Sequence, residues 1–236
     1  MNRTRFSLRA CAALLVATGA AAHAEVKQSG ADAFFIVFSA HVAAAPAKTY
    51  ASLAQVQNWW SSEHTWSGKA ANLSLHAEAG GCFCEKWPGG SAEHGRVVMA
   101  LPDKLLRLDS ALGPLQEFAL KGILSFWVKP GDDGGSELSV EYRVNGSSGS
   151  GLDEFAPKVD EVLGAQFERL ARYVDGGNPD APAAPPAPKA GADPAMLAEW
   201  AKQAQEEAAA GKEPAAPKKS KPPKPSAQKP KPADGP

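Results

Sequence analysis

The chain has 236 residues, with 25 Lys and Arg against 26 Asp and Glu, and a formal net charge of −1. That near-neutral total conceals an acidic stretch over residues 25–175, with 13 basic against 19 acidic residues, and a basic end over 176–236, with 9 against 7. An acidic body argues against nucleic acid as the main partner, and no stretch approaches the about 18 uninterrupted apolar residues of a membrane span.

In chain order, Arg3, Arg5 and Arg9 precede an alanine-rich apolar run over 10–22, and Ala22, His23 and Ala24 fit a small-x-small cleavage pattern. This predicts a secretory signal peptide over 1–24, cut after Ala24, and an exported, periplasmic or secreted protein. Cys11 stands at the start of the apolar run instead of after it, and Arg9 sits where a small residue is needed, so no lipid anchor is expected. The next element, 34–42 (FFIVFSAHV), is rich in β-formers and predicts a strand. Pro46 opens a helix over 46–55, with Tyr50, Leu53 and Ala54 spaced for one buried face. Asn58 is read as the cap of a second short turn carrying Trp59 and Trp60.

Six further strands are predicted over 72–77, 82–87, 94–100, 105–109, 117–129 and 137–145. Gly, Pro and Asp clusters of the hairpin kind separate them. Closely spaced strands joined by tight turns make an antiparallel meander. The segment 145–152 (NGSSGSGL) reads either as a mobile lid or as a plain connector. A helix over 153–174 follows, with Phe155, Val159, Val162, Leu163, Phe167, Leu170 and Val174 on one broad apolar face. From 176 to 236 the composition turns to Ala, Pro and Lys, interrupted by a short helix near 194–210 that Asp193 and Pro194 open. Two readings stay open for this disordered tail: electrostatic contact with an anionic cell wall or membrane surface, and an inert solubilising segment.

The expected fold is therefore α+β. A curved antiparallel sheet of about seven strands wraps around a long C-terminal helix, with two short helices after the first strand. Several phrases carry a resemblance to a known family: Ala45-Pro46-Ala47-Lys48-Thr49-Tyr50, Asn58-Trp59-Trp60, Gly80-Gly81-Cys82-Phe83, and His94-Gly95-Arg96-Val97-Val98 followed by Pro102-Asp103-Lys104-Leu105. Together they resemble the polyketide cyclase and Hsp90-ATPase-activator-like branch of the START/Bet v 1-like (SRPBCC) superfamily over about residues 33–174. The resemblance implies the helix-grip fold. It is a poor guide to activity, because that superfamily includes carriers, lipid binders and cyclases. The leader and the Lys/Pro tail depart from cytosolic co-chaperone relatives.

A hollow between sheet and helix would need a lining. The aromatics Trp59, Trp60, Trp66, Phe83, Phe118, Phe126, Trp127 and Tyr142 are candidates to line it and stack a small apolar or aromatic ligand, or else are ordinary core. Glu85, His64 and His94 are weak candidates for acid or base chemistry; Glu85 alternates with Phe83, and burial alone would raise its pKa. Cys82 and Cys84, at i and i+2 on a strand, are expected about 6.5–7 Å apart at Cα, at or beyond the comfortable limit for a bridge. They read first as small buried hydrophobes. No histidine or cysteine spacing matches a standard metal site, so neither metal nor cofactor is expected. No GxSxG elbow, P-loop or dinucleotide fingerprint is present. The leading expectation is an exported carrier of a small hydrophobic molecule. The alternatives are a cavity enzyme of cyclase, aromatase or hydrolase-like type, and an envelope-tethered interaction module.

Overall fold

The computed structural model describes residues 23–181. The leader up to residue 22, the basic tail and its expected short helix lie outside the described residues. Eight strands form one antiparallel sheet: β1 (His23–Gly30), β2 (Ala33–Val42), β3 (Leu73–Leu75), β4 (Cys82–Trp87), β5 (Gly90–Leu101), β6 (Leu105–Asp109), β7 (Lys121–Pro130) and β8 (Ser136–Asn145). Their order is β1-β2-β8-β7-β6-β5-β4-β3, so β1 and β3 are the two free edges of an open, curved sheet. The helices are α1 (Pro46–Leu53), α2 (Val56–Trp59) and α3 (Leu152–Val174). This is the expected α+β helix-grip arrangement, with one strand more than the seven anticipated. Among the described residues no helix is long and apolar enough to cross a membrane.

The additional strand is β1. Its sequence (HAEVKQSG) has no apolar alternation because residues 26–29 are exposed, and it is held by backbone pairing to β2 through a tight turn at Ala31 and Asp32. The expected leader cleavage after Ala24 falls within its first turn-distal residues, which pair with Phe38 and Ser39. A second difference lies before β7. The expected strand from 117 begins only at Lys121, because Gly113–Glu117 form a 3₁₀ turn that drops Leu115 into the core.

Period-two alternation sets the inner face. On β2, Phe34, Ile36, Phe38, Ala40 and Val42 are buried, and on β8 Leu138, Val140, Tyr142 and Val144. The long helix α3 lies on β1, β2, α1 and α2. It buries Leu163, Phe167, Leu170 and Val174 of the predicted stripe together with Leu152 and Ala156, while Phe155, Val159 and Val162 are only half-buried. Phe167 stacks on Phe38 at 5.7 Å. Gly164 permits that closeness, since a Cβ there would stand 3.1 Å from the Phe38 ring. Asp153 and Glu154 in the first turn and Arg172 in the last complement the helix dipole. Asn58, expected as the cap of the second helix, lies within α2 and donates to the Tyr173 hydroxyl at 3.0 Å.

The segment between β8 and α3 is tied at both ends. The Gly146 amide donates to Asp32 O at 2.8 Å and the Leu152 amide to Ala31 O at 3.0 Å, with Ser150 bonded to Ser147 between them. It is a connector fastened to the β1–β2 turn.

Candidate functional site

The concave sheet surface is covered by α3 on one side and by α1, α2 and residues 61–72 on the other, and the aromatics seal that cover. Trp59 donates its indole N–H to Ser52 O at 3.1 Å and Trp60 donates to His64 O at 2.9 Å, so each ring locks the short-helix segment around it. Trp59 packs on Trp60 at 5.5 Å, Trp60 on Phe83 at 5.5 Å, and Phe83 on the His94 ring at 4.9 Å. Tyr142 lies against Phe34 at 5.8 Å. A void large enough for a guest would expose the side chains around it. Instead Tyr142 is 0%, Trp59 2%, Phe83 3% and Trp60 8% exposed. The hollow expected beside the tryptophans is filled by the tryptophans themselves.

The remaining candidates do not join them. Trp66 is 49% exposed on the 61–72 segment, and its ring makes no contact with the aromatic row. Trp127 alternates away from Phe126 and lies on the outer face of the sheet, where the Arg107 guanidinium sits 5.4 Å over its ring. Phe118 is 40% exposed and meets Phe155 of α3 edge-on at 5.2 Å. His64 is exposed, and its contribution is the backbone carbonyl that receives Trp60.

Two of the three acid–base candidates do come together. Glu85 is fully buried and His94 is 6% exposed. His94 Nε2 lies 2.9 Å from Glu85 Oε2. Phe83 and Glu85 both point inward on β4, as their spacing requires. His94 gets there by a different device. Phe83 pairs with Gly95 and Cys84 with Glu93, so His94 has no partner on β4 and is the extra residue of a β-bulge. The bulge puts His94 and Gly95 both on the buried side, breaking the alternation of β5.

Glu85 also accepts the Trp66 amide at 3.0 Å and the Ser67 amide at 2.6 Å, pinning residues 61–72 to the sheet. Burial pushes its carboxyl up, but the hydrogen bonds from Ser67, Trp66 and His94 outweigh that and leave it below the usual glutamate value. The expected upward shift is thus reversed, because Ser67, the Trp66 amide and His94 all favour the charged form, and the sequence does not reveal that the fold brings them to Glu85. An ionised carboxylate only accepts, so His94 carries its proton on Nε2 and turns Nδ1 outward from the pair. Among the described residues Nδ1 has no hydrogen-bond partner.

His94 lines an open recess of about 360 Å³ between the β5 bulge and residues 109–120. Ala111, Phe118 and Leu120 give it an apolar side, Ser110 and Gln116 a polar one, and Glu93 and Arg96 stand at its rim. Ser110 donates to His94 O at 2.6 Å and Gln116 to Glu93 O at 2.8 Å, which fixes the wall to the bulge. Ser110 O in turn accepts from the Tyr142 hydroxyl at 3.1 Å, and the Leu112 amide donates to that hydroxyl at 3.0 Å. Burial pushes the Tyr142 phenol far up, so it stays a neutral donor. Ser110, Ala111 and Gln116 fell between two predicted strands and Leu120 inside the one predicted over 117–129, so none carried a signal in the sequence. A second depression, about 290 Å³, lies on the outer sheet face between Arg107 and Arg143, remote from this pair.

No protein-family model and no curated relative matches the sequence. Solved structures do align with it. A conserved protein of unknown function, EF2215, from Enterococcus faecalis is 14% identical with a TM-score of 0.47, covering 76% of this chain and 90% of its own. CalU16 from Micromonospora echinospora is 14% identical with a TM-score of 0.43, covering 83% and 98%. The di-domain aromatase/cyclase StfQ of the steffimycin biosynthetic pathway is 14% identical with a TM-score of 0.43, covering 63% of this chain and 51% of its own.

Proposed function

We propose that this chain is an exported, SRPBCC-type binding protein that takes a small amphipathic molecule, mainly apolar or aromatic, in the recess beside His94. The observation that carries this reading is the buried Glu85–His94 pair. It holds an imidazole rigidly, with one ring nitrogen unpaired, at a residue that lines an open recess of about 360 Å³. A volume of about 360 Å³ falls in the range of small-molecule sites. Phe118 and Leu120 would supply apolar contact and Nδ1 a single orienting hydrogen bond. The lining is more polar than apolar, so apolar burial at ~25 cal/mol per Å² supplies only part of the affinity and the polar groups supply the rest. An open recess of this kind therefore supports weak binding, closer to millimolar than to micromolar. Export rests on the leader pattern of residues 1–24, and family membership on the phrases quoted above.

The probe for the test is 8-anilinonaphthalene-1-sulfonate, an apolar aromatic anion, titrated by fluorescence. Saturable binding of one dye per chain is expected, weakened at least fivefold by Phe118→Ala and by His94→Ala, with both variants shown to be folded by circular dichroism. Binding that is absent, or indifferent to both substitutions, removes the proposal. One observation favours a second reading, acid–base chemistry in the same recess. A carboxylate-backed imidazole with a free nitrogen is arranged to take a proton from a bound substrate. Serine nucleophile chemistry is not supported by the geometry, because the Ser110 hydroxyl is committed to the His94 carbonyl and not to its ring.

A further inference from the structure

Cys82 and Cys84 alternate with the buried Phe83 and Glu85, so both face outward, half-buried, on β4. They form a disulfide with their Cα atoms 5.4 Å apart. The expected separation was longer and the expected role was inert packing. The bulge opposite Phe83 and Cys84 is where the regular strand geometry breaks. A bridge closing so short a loop hardly constrains the unfolded chain, so it is a poor staple. Its surroundings offer a further ligand. The register places Arg96 opposite Cys82 and Glu93 opposite Cys84. The Glu93 carboxylate is 3.9 Å from Cys82 Sγ and 2.5 Å from Arg96 Nη2, and Arg96 also donates to Gly80 O at 3.1 Å.

We propose that Cys82, Cys84 and Glu93 form a redox-gated site for a thiophilic divalent cation of the zinc class. The two sulfurs and a Glu93 oxygen lie within 4.8 Å of one another. Side-chain rotation brings such a set to the ~2.3 Å sulfur and ~2.0–2.2 Å oxygen distances of tetrahedral zinc, with a fourth position for water. Two soft sulfurs exclude calcium and magnesium as the preferred occupants. In the disulfide form the sulfurs have no charge to offer and the site is closed. A dithiol reductant opens it. One reductant thiolate attacks a sulfur and breaks the S–S bond, and the second displaces it, so the reductant leaves as its own disulfide. Two electrons and two protons pass to Cys82 and Cys84. The cation then displaces those two protons, and Glu93 exchanges Arg96 for the metal.

The test uses the full chain carrying Cys11→Ser, which leaves Cys82 and Cys84 as its two cysteines, and Cd²⁺ as the probe. After reduction and removal of reductant, one Cd²⁺ per chain is expected, with sulfur-to-cadmium charge-transfer absorbance, and none in the oxidised chain. Glu93→Gln, at an exposed position, weakens uptake about tenfold, and Cys82→Ser with Cys84→Ser abolishes it. A reduced chain that takes up no Cd²⁺, one that loses its fold on reduction, or uptake that survives the double serine substitution each overturns the assignment.

Discussion

Glu85→Gln is the substitution that weighs most heavily on the site. The side chain is fully buried, and its two oxygens accept the amides of Trp66 and Ser67 and the His94 Nε2–H. Glutamine retains one acceptor oxygen. Placed toward Ser67, it leaves the Trp66 amide and His94 facing an NH₂ group, donor against donor. His94 can relieve its own conflict by moving its proton to Nδ1, but the Trp66 amide cannot. One or two buried donors without an acceptor at ~1–3 kcal/mol each give an expected loss of ~2–4 kcal/mol at pH 7. The loss is measured as the difference in urea-unfolding free energy, with tryptophan fluorescence and circular dichroism followed together. The sign with pH is fixed by the depressed carboxyl. Its contribution is fully present above the unfolded glutamate value of 4.5 and fades as pH falls through the lower folded value. The gap between wild type and variant should therefore be flat from pH 7 to about 5 and narrow in more acid solution, where protonated Glu85 resembles glutamine. A loss under ~0.5 kcal/mol at pH 7, or a gap that widens on acidification, would refute the argument that Glu85 is an ionised acceptor organising the 61–72 segment.

Tyr142→Phe removes a hydroxyl with no exposure that both donates to Ser110 O and accepts the Leu112 amide. It should cost ~1–3 kcal/mol of unfolding free energy, and a neutral result would mean that water replaces the hydroxyl. His41 lies between Glu137, 2.9 Å from Nδ1, and Asp133, 2.9 Å from Nε2, and its pKa is raised first by the hydrogen bond to Glu137. Asp133 is lowered first by the Gly135 amide, with His41 adding to the effect. The His41 contribution is present below its ordinary value of 6.5 and lost as pH rises through the folded value. The Asp133 contribution is present above 3.8 and lost as pH falls through its folded value. The difference between wild type and His41→Ala in urea midpoint should then be largest between about pH 4 and 6.5. A difference that grows toward pH 8 contradicts the sign.

Patterns with a fixed period were readable in the sequence. The run 34–42, rich in β-formers, announced a strand, and the stripe from Leu163 to Val174 announced a helix that the sheet must cover. The glycine-rich breaks placed the hairpins. What escaped was whatever breaks a period or depends on backbone alone. β1 is mostly polar and exists by pairing with β2. The 110–120 segment is neither strand nor helix, yet it builds half of the recess. The His94 bulge is one extra residue, and no periodicity announces it. It turns His94 inward and accompanies the close approach of Cys82 and Cys84. The direction of the Glu85 shift was inverted because Ser67, Trp66 and His94 converge on it from separate segments, and two of those bonds come from main-chain amides, which are common to every residue type.

The density of tryptophan around residue 60 has a structural cause that bears on where a ligand can sit. Helices of eight and four residues are too short to be stable alone. Each indole spans from the sheet to a backbone carbonyl of its own segment, at Ser52 and at His64, and so fixes the helical cover while filling the space beneath it. Arg169 of α3 donates to Trp59 O at 2.7 Å, and the Ser61 amide donates to Gln166 at 2.8 Å, joining cover and long helix into one lid. A side chain that closes the grip this way cannot also yield to a guest without releasing those bonds. Access is left to the flank that the cover does not reach, where the β5 bulge meets residues 109–120. There the wall is polar on one side and apolar on the other, and His94 is the group that the buried carboxylate behind it holds in place.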